Sequence, residues 1–182
     1  MAHVLVPLAN GCEELEAITI IDLLRRAEID VTTAGLEKGS VKASRGVILI
    51  PDTTLEEALK QDYDMVILPG GLPGSDYLDQ DPRITELLKS MVSKGKPVAA
   101  ICAAPKVLVS AGLLESKSAT SYPGVLDQME VPQMNYTGNA VTIDGNIITS
   151  RGPGTAMDFA LTLIEKIVGK EIRDSVEEGL VR

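Results

Sequence analysis

"VAAICAAPKVL", residues 98–108, is an apolar run that becomes a helical stretch at a single cysteine. Val98 to Ile101 show no polar alternation, so the strand they form is expected to be covered on both faces. Pro105 suits a first helical turn, where its missing N–H costs nothing. A buried strand running straight into a helix is the repeating unit of a parallel α/β sheet. "HVLVPL" (3–8) and "YDMVILPGG" (63–71) are similar buried strands, the second ending in glycines.

The segments between them alternate in character. "EELEAITIIDLLRRAEI" (13–29) has helical spacing, an acidic start and a basic end, which suits the helix dipole. "DVTTAGL" (30–36) is a β-branched strand, and "VKASRGVILIPD" (41–52) reads as two short strands around Ser44-Arg45-Gly46. The threonines of "TTLEEALKQ" (53–61) precede Glu56 and Glu57 as a helix cap. "DPRITELLKSMVSKGK" (81–96) starts a helix at Pro82 and ends it near Gly95, and "AAPKVLVSAGLL" ends near Gly112. "SATSYP" (118–123) is a strand followed by a loop. "AVTIDGNIITS" (140–150) is a hairpin with Asp144-Gly145 at its turn. Two further helices, over 154–170 and 171–182, complete the chain. The pattern predicts one domain over residues 1–182: a doubly wound α/β sandwich of three layers, flavodoxin-like, with a mostly parallel central sheet.

Composition narrows the function. Net charge is −9, with no tryptophan and one phenylalanine, which argues against nucleic-acid binding. No apolar run approaches membrane-spanning length, and the N-terminus does not read as a signal peptide, so the expected compartment is the cytoplasm. Two cysteines, Cys12 and Cys102, are too few for a disulfide scaffold. With His3 the only histidine, zinc binding and Ser–His or Cys–His hydrolase chemistry are disfavoured, and no metal or cofactor is expected. "GGLPG" (70–74) lacks the lysine and hydroxyl of a phosphate loop. His3, at the start of a strand, is expected at the edge opposite any site, exposed or capping.

In such a sheet the site lies beyond the carboxyl ends of the strands. "ANGCEELE", "PGGLPG" and "CAAP" should meet there. At the strand-to-helix joint, Cys102 is either a small buried packing residue or a nucleophile held on a sharp turn. In the second case the N–H groups of the following helix would lower its pKa. Backbone N–H groups of Gly70 or Gly71 and of Ala103 could form an oxyanion hole. Of the acids Glu13, Glu14 and Glu16, one pressed against a thiolate would hold a proton and act as general acid or base; the others, Glu14 in particular, would only favour the helix start.

Several stretches in order, "EELEA", "DLLRRA", "VTTAGL", "SRGV", "YDMVILPGG", "AAICAAP" and "TSRGPGTAMDFAL", resemble the ThiJ/PfpI superfamily, in particular its parkinsonism-associated protein deglycase branch and the bacterial relatives. The resemblance covers nearly the whole chain. It implies a flavodoxin-like sandwich, a homodimer, Cys102 as the reactive cysteine and Glu16 as its hydrogen-bonding acid. It implies that Gly71 and Ala103 are backbone donors near the sulfur. Arg45 and Arg26 are similar to arginines near the pocket and the dimer interface, and Gly152 and Pro153 to a loop bordering the pocket. Relatives often carry histidine before the proline matching Pro123, where this chain has Tyr122, a poor base at neutral pH. The implied activity is cofactor-free conversion of methylglyoxal or glyoxal to lactate or glycolate, with glycated protein as a further substrate. The alternatives are a redox sensor or chaperone whose cysteine oxidises to sulfinate, with Cys12 as a candidate resolving thiol, and a small-molecule binder.

Overall fold

The computed structural model describes residues 1–182. Its centre is a seven-stranded sheet of β1 (His3–Leu8), β2 (Asp30–Gly35), β5 (Thr53–Thr54), β6 (Met65–Leu68), β7 (Val98–Ile101), β10 (Val141–Asp144) and β11 (Ile147–Ser150). The order is β10-β11-β7-β6-β1-β2-β5, and every neighbouring pair is parallel except β10–β11. Two small pairs lie outside it: the antiparallel β3 (Val41–Lys42) and β4 (Ile48–Leu49), and the parallel β8 (Ser118–Ala119) and β9 (Asn135–Tyr136).

The apolar strands have two buried faces because successive side chains point to opposite sides. Val4, Val6, Leu8, Ile67 and Ile101 join a core with α1 (Glu14–Arg26), α6 (Ala156–Val168) and α7 (Lys170–Gly179). Leu5, Val66, Leu68, Val98 and Ala100 join a second core with α2 (Leu55–Ala58), α3 (Gly74–Gln80), α4 (Pro82–Ser93) and α5 (Pro105–Ser110). This is the expected three-layer sandwich. Phe159 is fully buried in the first core, worth on the order of 3 kcal/mol.

Helix starts follow local chemistry. Asp81 accepts the Arg83 N–H at 3.0 Å with Pro82 at the first helical position, and the Thr54 hydroxyl accepts the Glu57 N–H at 3.3 Å. Three expectations need correction. Gly74–Gln80 is a helix that the sequence reading left out; glycine at its start and few apolar residues mask its period. The β10–β11 turn is Gly145-Asn146, one residue later than expected, because Asp144 still pairs with Ile147. His3 does start a strand at the far edge, but it is half-buried, with Nε2 2.8 Å from the Thr32 hydroxyl and its ring against Tyr63.

Strands are added on one side of β1 by β2 and on the other by β6. Their divergence opens a crevice beyond the carboxyl ends, where the loops after β1, β6 and β7 converge.

Candidate active site

Cys102 directly follows β7 with φ +65°, a left-handed conformation that non-glycine residues seldom adopt. Neighbouring backbone holds it there. Its N–H donates to the Ser150 carbonyl at 3.0 Å, and its carbonyl accepts the Tyr122 N–H at 2.9 Å. Such strain persists only where surrounding structure over-determines it. The conformation directs the thiol to a cavity of about 330 Å³, and the Gly71 and Ala103 N–H groups interact with the sulfur.

Glu16 lies in the first turn of α1 and is completely buried. Its Oε2 accepts the Gly70 N–H at 2.9 Å. Oε1 is buried with no hydrogen-bond partner, and Cys102 is the neighbouring side chain that acts on the carboxyl electrostatically. Burial pushes the Glu16 carboxyl up to about 7, against the opposing effects of Cys102 and of the Gly70 hydrogen bond. Burial, and then the Glu16 charge, push the Cys102 thiol up to about 12. The two acids behave as one unit: a first proton leaves near neutrality and a second far above it. A proton on Glu16 Oε1, donated to a Cys102 thiolate, gives the orphaned oxygen a partner and leaves the sulfur the donors from Gly71 and Ala103.

Two glycines make this approach possible. A Cβ on Gly70 would stand 2.5 Å from the Cys102 Cβ and 2.7 Å from Glu16 Oε2. Gly71 has φ +93°, and a Cβ there would meet the Glu13 nitrogen at 2.3 Å. The proposed oxyanion role of Gly70 is corrected by the same geometry, since its N–H is engaged by Glu16. Gly71 and Ala103 keep theirs beside the sulfur.

The cavity is also lined by Glu13, Ser44, Arg45, Leu72, Tyr122, Val125 and Pro153. Pro123 and Gly152, with Arg151, line an adjoining recess of about 270 Å³ that shares Tyr122 and Pro153 with it. Gly152 packs under the Tyr122 ring, where a Cβ would lie 3.2 Å from Cδ2. Arg26 is not part of the cavity: it sits ten residues along α1 from Glu16, about 15 Å, exposed and paired with Asp22 at 2.9 Å. Cys12 is buried, reduced and outside the lining, with its thiol pushed up to about 12 by burial and by Glu14.

Glu14 does more than favour a helix start. Its carboxylate accepts the Arg45 N–H at 2.8 Å, the Ser44 hydroxyl at 3.0 Å and the Val47 N–H at 3.4 Å. Burial works to raise this carboxyl, but the hydrogen bonds outweigh it and hold the pKa below the ordinary value. Glu14 therefore pins the β3–β4 hairpin that brings Ser44 and Arg45 to the cavity. Sequence reading missed Ser44, Leu72 and Val125; only Ser44, beside Arg45 in "SRGV", had a usable signal.

Residues 2–166 match the DJ-1/PfpI family. The chain belongs to the DJ-1/PfpI family. It is 48% identical to protein dj-1beta of Drosophila melanogaster over 97% of this chain and 95% of that one. It is 37% identical to the glutathione-independent glyoxalase DJR-1.2 of Caenorhabditis elegans, over 98% and 95% of the two chains. The crystal structure of Drosophila melanogaster DJ-1beta superposes with a TM-score of 0.94 at 46% identity, covering 99% of this chain and 97% of that one. The flavodoxin-like sandwich is therefore the family's fold. No group of three or more His, Cys, Asp or Glu side chains is placed to hold a metal ion, and no helix is long and apolar enough to cross a membrane.

Proposed function

We propose that the protein converts methylglyoxal and glyoxal to lactate and glycolate without glutathione, using Cys102 and Glu16. The carrying observation is the buried Glu16 carboxyl against Cys102, with its pKa raised to about 7. A group of that strength both gives and takes protons at neutral pH. The Cys102 thiolate adds to the aldehyde carbon, and Glu16 protonates the new oxygen, giving a hemithioacetal. Glu16, now a carboxylate, takes the proton from that carbon and gives it to the neighbouring carbonyl oxygen, forming an enediol; it then takes the proton of the first hydroxyl and delivers it to the second carbon. The product is a 2-hydroxy thioester on Cys102. Water releases lactate or glycolate and restores the thiol and the acid. The same sequence acts on early glyoxal adducts of protein side chains. The name of the nematode relative supports the reading.

The test is lactate formation from methylglyoxal without glutathione, comparing wild type with Cys102→Ser. Turnover lost in the variant supports the proposal; equal turnover overturns it.

We further propose a homodimer. Leu15 and Ile18 on α1, with Val47, Ile48 and Ile50 after the Arg45 loop, are large apolar side chains left exposed, Ile50 by 86%. Sedimentation of wild type as a dimer supports this, and a monomer at micromolar concentration overturns it.

One observation favours a second reading. Cys102 opens on the cavity, whereas Cys12 does not. A redox sensor or chaperone of this design would take two oxygens on Cys102 after mild peroxide, as a sulfinate held by Glu16. Intact mass of wild type and Cys102→Ser tests it.

A further inference from the structure

A cavity of about 590 Å³, larger than the one at Cys102, lies elsewhere in the molecule. It lies beyond the carboxyl ends of β1 and β2 and shares no lining residue with the reactive cavity. We infer that it is a second ligand site, built for an uncharged heteroaromatic molecule of nucleoside size.

The floor is apolar, made by Leu8, Ala9 and Val41, all buried, with half-buried Leu36 beside them. Tyr77 offers an aromatic ring on the wall, 46% exposed and with no hydrogen bond to its hydroxyl. Around the rim, the exposed side chains of Ser40 and Gln80 make no hydrogen bond within the protein, and the Asn10 side chain uses only its carbonyl oxygen, which accepts the Lys42 N–H at 2.8 Å. An apolar bed with a few polar groups at its edge is the usual design of a small-molecule site, and the volume lies within the usual range.

Charge sets the class. The lining holds two acids, Glu37 and Asp81, and two bases, Lys38 and Arg83, so the formal charges cancel. Arg83 is committed: it binds both Asp81 oxygens, at 2.6 and 3.0 Å, and the Leu36 carbonyl at 3.0 Å. Glu37 also lies 3.6 Å from Arg83, and Lys38 makes no ion pair within the protein, so the lining as a whole stays formally neutral. A phosphate therefore gains little here, and the chain has no phosphate loop. Glu37 follows the end of β2, the position at which dinucleotide-binding sheets place the carboxylate that accepts ribose hydroxyls, although this chain lacks their glycine fingerprint. A flat base on Tyr77 with hydroxyls toward Glu37 uses both features.

The position also gives such a ligand leverage. Val41 and Asn10 form the root of the β3–β4 hairpin, and the Gly11 N–H donates to the Lys42 carbonyl at 2.8 Å. The same hairpin carries Ser44 and Arg45 to the Cys102 cavity. Occupancy of one cavity bears on a wall of the other.

The test titrates the full chain with adenosine and guanosine, followed by amide NMR. Saturable binding with Kd below about 1 mM is expected, with shifts centred on residues 36–41 and 77–83. Tyr77→Ala should weaken it by roughly threefold to tenfold, the worth of one aromatic contact, while Tyr77→Phe and Cys102→Ser bind as wild type. Tyr77 is exposed enough that either change leaves the fold intact, which the same spectra verify. Saturating nucleoside should change the rate of Cys102 alkylation by iodoacetamide; an unchanged rate overturns the coupling. No saturation by 5 mM, about the weakest affinity worth assigning to a site, shifts centred on Tyr122 and Cys102, or an unaffected Tyr77→Ala variant each overturn the site. Adenosine monophosphate binding more tightly than adenosine would make it an anion site and overturn the assigned class.

Discussion

Glu16 accepts the Gly70 N–H at 2.9 Å, and so the residue that holds the acid in place has no room for a side chain. Cys102 lies on the other side of the same glycine. Acid, glycine and thiol form one packed unit, and each can be tested against the others.

Glu16→Gln keeps an acceptor for Gly70 but cannot shuttle a proton. Lactate formation should fall by about 10²–10⁴-fold, the usual worth of a positioned acid–base. Cys102 should still be alkylated by iodoacetamide. Retained turnover removes Glu16 from the mechanism.

The shared proton predicts a pH profile. Alkylation of Cys102 should rise through about pH 7, where the pair first ionises, and not only near the ordinary thiol value. Stability carries the same signature. Glu16 is raised from 4.5 to about 7 in the fold, so the folded state binds a proton that the unfolded chain has released. Its contribution is full below about pH 4.5 and is lost as pH rises through about 7, amounting to about 3 kcal/mol at most. Urea denaturation of wild type should show this decline, and Glu16→Gln should flatten it.

Gly70→Ala would place a methyl group 2.7 Å from both Glu16 Oε2 and the Ile101 carbonyl, in addition to the Cys102 clash. Buried backbone does not yield as a flexible side chain would. The expected cost is about 1–3 kcal/mol, read as a lower Tm, with Cys102 alkylation altered as well. A variant with wild-type Tm and reactivity would contradict the packing described.

Glu14→Ala would remove the acceptor of the Arg45 and Val47 N–H groups, while the Ser44 hydroxyl keeps Glu13 Oε2 at 3.1 Å. Arg45 and Val47 are exposed, so water can replace the carboxylate, and a loss of about 0.5–1.5 kcal/mol per hydrogen bond bounds the effect. KM for aldehyde should rise more than kcat falls, because the change loosens the cavity wall and leaves Cys102 and Glu16 in place. Glu14→Gln, which keeps an acceptor, should recover part of both. The pH sign is opposite to that of Glu16: a depressed carboxyl stabilises above its unfolded value, and the benefit disappears as pH falls through the carboxylate range.

Much of this was legible in the sequence for reasons of pattern. Continuous apolar runs at 3–8, 64–69 and 97–101 read as strands buried on both faces, and the threonine cap before Glu56 and Pro82 at a helix start are local chemistry. Together they determine a parallel sheet between two helical layers, with Cys102 at a strand-to-helix joint. What they could not decide is which groups face one another. Spacing alone does not separate Glu13, Glu14 and Glu16, although the family resemblance implies Glu16. Tertiary packing supplies the physical difference: Glu16 is sealed beside a thiol and pushed up, while Glu14 is surrounded by N–H donors and held down. Nor could sequence show that Gly70 spends its N–H on Glu16, that Arg26 points away, or that the larger cavity lies between loops 36–41 and 77–83. Periodicity reports which side of an element is buried. The strength of an acid depends on the particular atoms around it, and those come from segments more than fifty residues apart.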